Sequence, residues 1–538
     1  MNAGAALANA AWLVQSLDEA RRFARALEDP RGAQETWLKR QLARHANSDF
    51  GRAHDFAAIR DAADFSRRVP LTDYSGVAPH IERILRGEQD VLSCGRVTHL
   101  APTSGSTGAR KLIPFSASLQ RGFGAAVGPW MLDLARHRPG TVGGPAYWAV
   151  SPMAGPAEEC PAPTGAIPIG HADDADYIGG ASAWLVRRAL AVPGTLRHVR
   201  DVKTFWLLTL LSLLRQRDLR LISVWHPSFL DLLVDAAAAD WHELLEGVSS
   251  GVCQWLHALP PDARKGWRTA PNPSRAAELR RIGTSDWPRW WPRLRVVSCW
   301  GEQAAESGWQ QLRRRLPHIL VQAKGLVATE AVVTIPLGTQ KPLAVTSHFF
   351  EFLDERGEMS GAHSLERGKR YQVVVTNGGG LWRYRLGDVV ECTGYVRATP
   401  SLRFLGRAGC VSDLRGEKLN DVFVAEVLRA LWPTESPPSY AALRASEADG
   451  VARYELLLSD EGLTRAFGDL GAQLETALRQ NPNYDLARRL GQLQPLRVIQ
   501  VAAARAREEL ATHRGRLGDA KPKVLLRVCD GIRGCERP

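Results

Sequence analysis

Apolar residues recur every third or fourth position near the start of the chain, most clearly in AWLVQSLDEARRFARAL and TWLKRQLARH. This spacing places them on one face of a helix, so it predicts helices from residue 1 to about residue 70. Beyond residue 90, short apolar runs stand between glycines, prolines and polar residues, a pattern that is typical of buried strands. The predicted strands are 97–100, 111–115, 147–150, 221–225, 294–299 and 320–322.

Helical stretches separate several of these strands, mainly within residues 177–245, and this alternation predicts an α/β core. Further strands at 345–353, 371–376 and 389–392 indicate a strand-rich subdomain after about residue 330. The longest apolar run, Phe205–Leu214, is about half the length of a membrane span. It therefore predicts a buried helix and no membrane partner.

The chain has 538 residues, which is too many for one ordinary core. From Phe404, the stretch FLGRAGCVSDLRGEKLNDVFVAEVL predicts a strand, a loop and a helix, and the strand RYELLLSD and a helical stretch at 461–480 follow. We therefore predict a large N-terminal domain in residues 1–408 and a small α+β domain in residues 409–538.

The formal net charge is +12, but the arginines are dispersed along the chain instead of forming basic runs. A dispersed excess is typical of a solvated surface, so nucleic acid is not an expected partner. The eight cysteines form no C-x-x-C pair, which suits a reducing cytoplasm and gives no sign of a zinc site. The first residues lack the basic start of a secretory signal, so we expect a surface helix there.

The stretch TSGSTGARKLIP, from Thr103 to Pro114, combines glycines, hydroxyl groups and cations. Glycines expose backbone N–H groups to an anion, and a lysine ammonium group binds phosphate oxygens. The glycine spacing differs from that of a Walker loop, so a phosphate cradle and a plain glycine-rich turn both remain open. The residues that would hold phosphate are Ser104, Gly105, Ser106, Thr107, Gly108 and Lys111.

Three later segments each carry a residue with two possible interpretations. In KGLVATEAVVTIP, Glu330 follows Thr329 in an apolar setting, as a metal ligand or a paired ion would. In LWRYRLGDVV, Asp388 suits hydrogen bonding to a diol such as ribose, or a surface salt bridge. In GRLGDAKPK, Lys521 lies in a glycine-flanked loop and alone is most simply an exposed lysine.

The order of these segments resembles the adenylate-forming superfamily, whose members activate carboxylates with ATP. The stretches FAAIRDAADFSRRVPLTDYSGVAPHIERILRGEQDVLS, TSGSTG, WPRLRVVSCW, GGLWRYRLGDVVECTG and NPNYDLARRLGQL narrow the match. They resemble the bacterial branch of the Gretchen Hagen family of acyl acid amido synthetases (the auxin-responsive promoter family). The resemblance runs from about residue 35 to residue 527, and it implies the firefly-luciferase-like α/β fold with a mobile C-terminal domain.

The resemblance also implies a reaction. A carboxylate attacks the α-phosphate of ATP to give an acyl-adenylate and pyrophosphate, and an amine or amino acid then takes the acyl group and releases AMP. By resemblance, the glycine-rich loop and Lys111 would hold the triphosphate, and Glu330 would bind Mg²⁺. Thr329 would contact the α-phosphate, Asp388 and Arg407 would hold the ribose, and Lys521 would stabilise charge at the reacting group.

Two positions depart from the pattern that many relatives share. Gly409 replaces the hinge aspartate, and Leu326 replaces the tyrosine that stacks on adenine. His171 and His348 are candidate bases for the amine step, although each suits a structural role as well. The helices of residues 120–240 and the segment around Trp225 would form an acyl pocket for an apolar or aromatic acid.

Two other functions remain open, namely a ligase that makes a thioester with coenzyme A or a carrier protein, and a non-catalytic binding protein. The sequence does not indicate the identity of the acid and the amine, or the oligomeric state.

Overall fold

In the computed structural model, helices precede the first strand, as the apolar spacing predicts. Aspartates begin several of them: Asp29 accepts a hydrogen bond from the N–H of Gly32, and Asp73 accepts from those of Ser75 and Gly76. These helices are α1 (Ala3–Gln15), α2 (Leu17–Ala26), α3 (Pro30–His45), α4 (Asp49–Ala53), α5 (Ala62–Arg68) and α6 (Tyr74–Leu85).

The structure describes most of the chain up to residue 408 and parts of the remainder. The described residues are 2–103, 111–149, 167–171, 173–199, 201–264, 267, 270–408, 411–412, 414–415, 417, 419–432, 438, 440–448, 451–459, 467–489, 492–502 and 524–526.

An antiparallel hairpin follows the helical layer. Its strands are β1 (Val97–Pro102) and β2 (Leu112–Ser116), and Pro102 pairs with Leu112 at the open end. The N–H of Thr103 donates to the carbonyl of Lys111 at 2.9 Å, so the two ends of the glycine-rich loop are held together. Helix α7 (Ala117–His137) starts directly after β2, where the Ser116 side chain accepts a hydrogen bond from the Leu119 N–H.

A four-stranded parallel sheet forms the predicted α/β core. Its strands, in spatial order, are β3 (Ala146–Trp148), β4 (Leu221–Ser223), β5 (Val296–Cys299) and β6 (Leu320–Ala323). Residues Phe205–Leu214 are buried in helix α9, as predicted. The associated helices are α8 (Gly180–Ala189), α9 (Val202–Arg215), α10 (Pro227–Ala239), α11 (Trp241–Ser250), α12 (Pro261–Arg264), α13 (Pro273–Ile282) and α14 (Glu306–Arg315).

The predicted strand-rich subdomain is an antiparallel sheet. Its strands are β7 (Phe349–Leu353), β8 (Met359–Gly361), β9 (Arg370–Thr376), β10 (Tyr384–Val396) and β11 (Thr399–Arg407), in the spatial order β11-β10-β9-β7-β8. Strand β10 is longer than the predicted strand at 389–392, because it pairs with both β9 and β11.

The predicted strand at 345–353 is wrong in its first four residues, since β7 begins at Phe349. The Gln34 amide nitrogen donates to the carbonyls of Val345 and His348, each at 2.7 Å, and the Gln34 carbonyl accepts from the Phe350 N–H at 2.7 Å. A helix side chain therefore replaces the partner strand at this point.

The C-terminal part has its own α+β arrangement, with the spatial order β16-β15-β14-β17 in its larger sheet. Its elements are β12 (Val411–Ser412), β13 (Leu419–Asn420), α15 (Asp421–Leu431), β14 (Ala441–Ala448), β15 (Val451–Ser459), α16 (Phe467–Leu478), α17 (Pro482–Arg489), β16 (Arg497–Val501) and β17 (Leu525–Leu526). The boundary after residue 408 stays a prediction. Among the described residues, no helix is both long enough and apolar enough to cross a membrane.

Candidate active site

Charged groups from three parts of the chain influence the pKa of Tyr384, the first residue of β10. This tyrosine is 2 % exposed. Burial raises the pKa of its hydroxyl group, the charges of Glu330 and Asp73 raise it further, and Arg407 opposes them. Charges from the segments of Glu330, Arg407 and Asp73 thus all influence the same hydroxyl group.

Thr329 and Glu330 form the tip of a tight turn after β6. The N–H of Ala328 donates to the carbonyl of Ala331 at 2.9 Å, and the N–H of Ala331 donates back at 3.3 Å. The residues on either side, Val327 and Val332, form an antiparallel bridge. Glu330 is 5 % exposed, so the turn holds a carboxylate in a mostly buried position.

Asn377 fixes this turn, and the sequence analysis did not single it out. Its amide nitrogen donates to the Glu330 carbonyl at 2.7 Å, and its oxygen accepts from the N–H groups of Gly379 and Leu381 at 2.9 and 3.1 Å. The side chain is fully buried. The signal was present in TNGGGLWRY, because an asparagine before several glycines is typical of a turn held by its own side chain.

Asp388 and Arg407 lie opposite each other on neighbouring strands, β10 and β11. The Arg407 Nε donates to Asp388 Oδ1 at 3.1 Å. Asp388 is fully buried, whereas the Arg407 side chain is 34 % exposed. Solvent and ligands therefore reach the pair from the side of the arginine. Gly387, with a φ of +80°, adopts the left-handed conformation before Asp388 that glycine tolerates best.

Lys111 stands at the start of the hairpin's second strand, beside the loop before α6. Its ammonium group lies 5.7 Å from the centre of the Tyr74 ring, and the Tyr74 hydroxyl accepts a hydrogen bond from the Leu112 N–H at 2.9 Å. Asp73 precedes Tyr74, and its pKa is lowered mainly because the Ser75 hydroxyl group donates a hydrogen bond to its carboxylate. The positive charge of Lys111 lowers this pKa further.

Arg383, four residues before Gly387 in the same segment, has a structural role. Its Nε donates to both carboxylate oxygens of Glu351, at 3.1 and 2.9 Å, and its guanidinium group also bonds the carbonyls of Ser66 and Val69. Both side chains are buried. Backbone hydrogen bonds from Thr72 to Arg383 and from Arg385 to Thr72 then align the start of β10 with the loop before α6.

Glu302 is a second residue that the sequence analysis did not identify. It follows β5 and is 8 % exposed; burial raises its pKa, and the Lys341 ammonium group opposes the shift at 2.6 Å. The other carboxylate oxygen accepts from the N–H of Phe404 at 3.2 Å. Glu302 therefore joins the end of the parallel sheet to β11, the strand that carries Arg407.

The two candidate histidines have different surroundings. His348 is buried; its Nε2 accepts from the Val332 N–H at 3.3 Å, and burial lowers its pKa to about 3. This contact supports a structural role, because the acceptor nitrogen already has a donor. His171 is half-buried, and its Nδ1 lies 2.8 Å from Nε2 of His99.

Several predicted site residues lie outside the described part of the chain, namely Ser104, Gly105, Ser106, Thr107, Gly108, Lys521 and the hinge position Gly409. Of the predicted residues that are described, Glu330 and Arg407 both influence the pKa of Tyr384, Asp388 pairs with Arg407, Thr329 shares the turn of Glu330, and Lys111 lies beside Tyr74. Leu326, at the adenine position, is a buried core residue.

Matches to known proteins cover most of the chain. The GH3 family N-terminal domain matches residues 19–321, and the GH3 family central domain matches residues 342–407. A probable indole-3-acetic acid-amido synthetase, GH3.12 of Oryza sativa subsp. japonica, is 24% identical over 458 residues, which cover 74% of this chain and 72% of that protein. The indole-3-acetic acid-amido synthetase GH3.2 of Arabidopsis thaliana is 21% identical, with 84% and 90% covered.

Among solved structures, the chain resembles the AtGH3.15 acyl acid amido synthetase in complex with 2,4-DB. The TM-score is 0.80 at 17% identity, and the match covers 96% of this chain and 94% of that one. At this identity, the likeness concerns the fold. It confirms the predicted α/β fold with a large N-terminal and a smaller C-terminal domain.

Proposed function

Because the chain belongs to the GH3 family, we propose that it is an acyl acid amido synthetase that activates a small carboxylic acid with ATP and transfers the acyl group to an amine or amino acid. The observation that carries the proposal is that Glu330 and Arg407, the partner of Asp388, both influence the pKa of Tyr384, while Lys111 lies beside Tyr74 and acts on the neighbouring Asp73. The Glu330 carboxylate suits a metal ion, the Asp388–Arg407 pair a ribose diol, and Lys111 phosphate.

In the proposed first step, a carboxylate oxygen attacks the α-phosphorus of ATP, and pyrophosphate leaves. Residues Ser104–Gly108 and Lys111 hold the triphosphate, and Thr329 contacts the α-phosphate. The Thr103–Lys111 hydrogen bond supports this assignment, because it brings the two ends of the loop together beside Lys111. Asp388 accepts from the ribose hydroxyl groups, and Arg407 holds the carboxylate in place for them.

The residues present fit a magnesium ion. Mg²⁺ on a nucleotide usually takes one or two protein carboxylates and completes its shell with phosphate oxygens and water. Glu330 supplies one such carboxylate, and among the described residues no group of three or more His, Cys, Asp or Glu could hold a metal without a nucleotide. When bound, the ion neutralises phosphate charge, while Asn377 keeps the Glu330 turn in position.

In the proposed second step, the amine nitrogen attacks the acyl carbon, AMP leaves, and the nitrogen loses a proton. Lys521 from the C-terminal domain stabilises charge on the reacting groups of the first step. It then has to make way for the amine, so rotation about residues 406–416, including Gly409, separates the two steps. The separate sheet that β14–β17 form supports a C-terminal unit that turns as one body.

The cytoplasm is the compartment that we propose. Among the described residues, Cys94, Cys253, Cys299 and Cys392 are all free thiols, which suits a reducing environment.

The test is AMP release from ATP and Mg²⁺ against a panel of carboxylic acids, with and without pooled amino acids, followed by mass spectrometry. AMP together with an amide product is the expected result and names both substrates. AMP that forms only with coenzyme A or a carrier protein would replace the amide reaction with thioester formation. ATP binding without AMP for any acid, across aliphatic, aromatic and hydroxylated members, would indicate a non-catalytic binding protein.

A further inference from the structure

The parallel sheet carries a row of polar side chains across three neighbouring strands. Ser223 of β4 pairs with Ser298 of β5, and Ser298 pairs with Gln322 of β6. Paired positions on neighbouring strands present their side chains on the same face of the sheet. The three polar groups therefore form one line, with strand-to-strand steps of about 4.8 Å.

The polarity of this row is confined to one end of one face. Two residues earlier on the same strands and the same face stand Leu221, Val296 and Leu320. The opposite face packs into a core cluster through residues such as Ile222 and Val297, and the Tyr147 hydroxyl group of β3 also lies on that face. The change from apolar to polar falls at the carboxyl ends of the strands, where open parallel sheets bind their ligands.

Two of these polar side chains, Ser298 and Gln322, have hydrogen-bonding groups that form no hydrogen bond with any described residue. Ser298 is 1 % exposed, and within the described residues its hydroxyl group has no hydrogen-bond partner. Gln322 accepts from the Trp130 indole N–H of α7 at 2.9 Å, and its amide nitrogen has no partner in the described part of the chain. Burial of a hydroxyl group without a partner is unfavourable, so such a group in a native fold calls for an explanation.

The row is also accessible along one edge. Ser223 and Trp148, which pair with each other at the same register, are half-buried although β4 is an interior strand of the sheet. Trp130, across from the row on α7, is half-buried as well. This end of the row is therefore only partly covered in the described part of the chain, and it adjoins β6, the strand that leads into the Thr329–Glu330 turn.

We propose that Ser223, Ser298 and Gln322 bind the distal end of the acyl substrate, and that the substrate class is carboxylic acids with a hydroxyl or carbonyl group remote from the reacting carboxylate. The inference rests on the proposed function. It narrows the expectation of an apolar or aromatic acid to an acid whose skeleton packs against Trp130 and Trp148 and whose far end is hydrogen-bonded. A site of this kind discriminates strongly against an analogue that lacks the polar group, because the protein groups are then left unpaired.

The experiment measures binding apart from turnover. Non-hydrolysable acyl-sulfamoyl adenosines are prepared from benzoic, phenylacetic and 3-phenylpropanoic acids, each with and without a ring hydroxyl group, and are titrated calorimetrically. Wild type should bind the hydroxylated member of at least one pair about tenfold more tightly. Ser298→Ala should remove that preference, and Ser223→Ala and Gln322→Met should reduce it. Ser16→Ala is the matched control, because its buried hydroxyl group bonds the Trp12 carbonyl at the end of α1, outside the helices assigned to the acyl pocket.

Equal affinity for both members of every pair in wild type would overturn the inference, and so would a preference that survives all three substitutions. In either case, AMP formation with any acid would leave the proposed function intact. If no mimic bound and no acid gave AMP, the proposed function would fail and this inference with it. A thermal melt of each variant separates loss of binding from loss of folding.

Discussion

Replacing Asn377 by aspartate tests whether the turn that carries Glu330 must be held in place. The substitution keeps the size of the side chain and leaves an oxygen to accept from the Gly379 and Leu381 N–H groups. It removes the donor to the Glu330 carbonyl, now at 2.7 Å, and sets two oxygens against each other there. The variant thus separates the support of the Glu330 turn from the support of the glycine loop.

The expected loss follows from the burial of this contact. A buried carbonyl without its donor costs about 1–3 kcal/mol, which corresponds to roughly a fivefold to 150-fold fall in kcat/KM if the turn is needed in the transition state. The assay is AMP release with a saturating acid at several Mg²⁺ concentrations. We expect the variant to require more Mg²⁺ as well, because the Glu330 carboxylate is carried by the same turn.

Asn9→Asp is the matched control. Asn9 is also buried, and its amide nitrogen donates to the carbonyls of Val142 and Gly144 at 3.1 and 2.9 Å, in a part of the fold that we do not assign to the site. Both variants should lose similar stability, but only the change at Asn377 should affect kcat/KM and the Mg²⁺ requirement. Equal kinetics for the two variants would refute the reasoning, since the bond to Glu330 would then be merely structural.

Four further outcomes are expected. Lys521→Ala should abolish adenylation and leave ATP affinity nearly unchanged in a direct titration; near wild-type adenylation would contradict its proposed role. Asp388→Ala should weaken ATP by about tenfold, because the ribose loses an acceptor and Arg407 its partner; an unchanged affinity would remove Asp388 from the site. Glu330→Gln should raise the Mg²⁺ concentration needed for half-maximal AMP release, with an unaltered requirement as the contrary result. Burial lowers the pKa of His226 to about 3, so the neutral histidine stabilises the fold above its unfolded pKa near 6.5. As the pH falls from there toward 3, the free energy of unfolding should decrease by about 1.4 kcal/mol per pH unit. His226→Asn, which can still cap α10, should lessen this decrease in urea unfolding between pH 7.5 and 5.

The sequence predicts much of this fold because most of its elements are locally encoded. The helical periodicity before residue 70, the hairpin around the glycine-rich loop and the buried strands of the parallel sheet all appear where their patterns place them. The start of β7 was mispredicted because its backbone partner is the Gln34 side chain, more than three hundred residues away. No local pattern reveals a partner of that kind.

The candidate site also combines residues that the sequence identifies with residues whose roles depend on distant contacts. Lys111, Glu330 and Asp388 stand in short motifs whose proposed chemistry can be inferred from the sequence, and in the fold Lys111 lies beside Tyr74 while Asp388 pairs with Arg407. Asn377 and Glu302 are different, since each acts by holding a distant backbone group in place. Their roles depend on three-dimensional contacts, so the sequence offers only a weak turn signal for the first and none for the second.

The pairing of Thr72 with the start of β10 has a consequence for how the protein is made. Thr72 forms backbone hydrogen bonds with Arg383 and Arg385, and the Gln34 side chain forms hydrogen bonds with His348 and Phe350 at the start of β7. Segments from the beginning of the chain therefore supply hydrogen-bond partners for strands that come more than three hundred residues later. Contacts between such distant residues form slowly, because a long loop of chain must close first. During synthesis, the helical layer leaves the ribosome long before strands β7–β11 exist. The proposed nucleotide site is thus assembled late, and the nascent chain must keep its early apolar faces from aggregating until residue 407 has emerged.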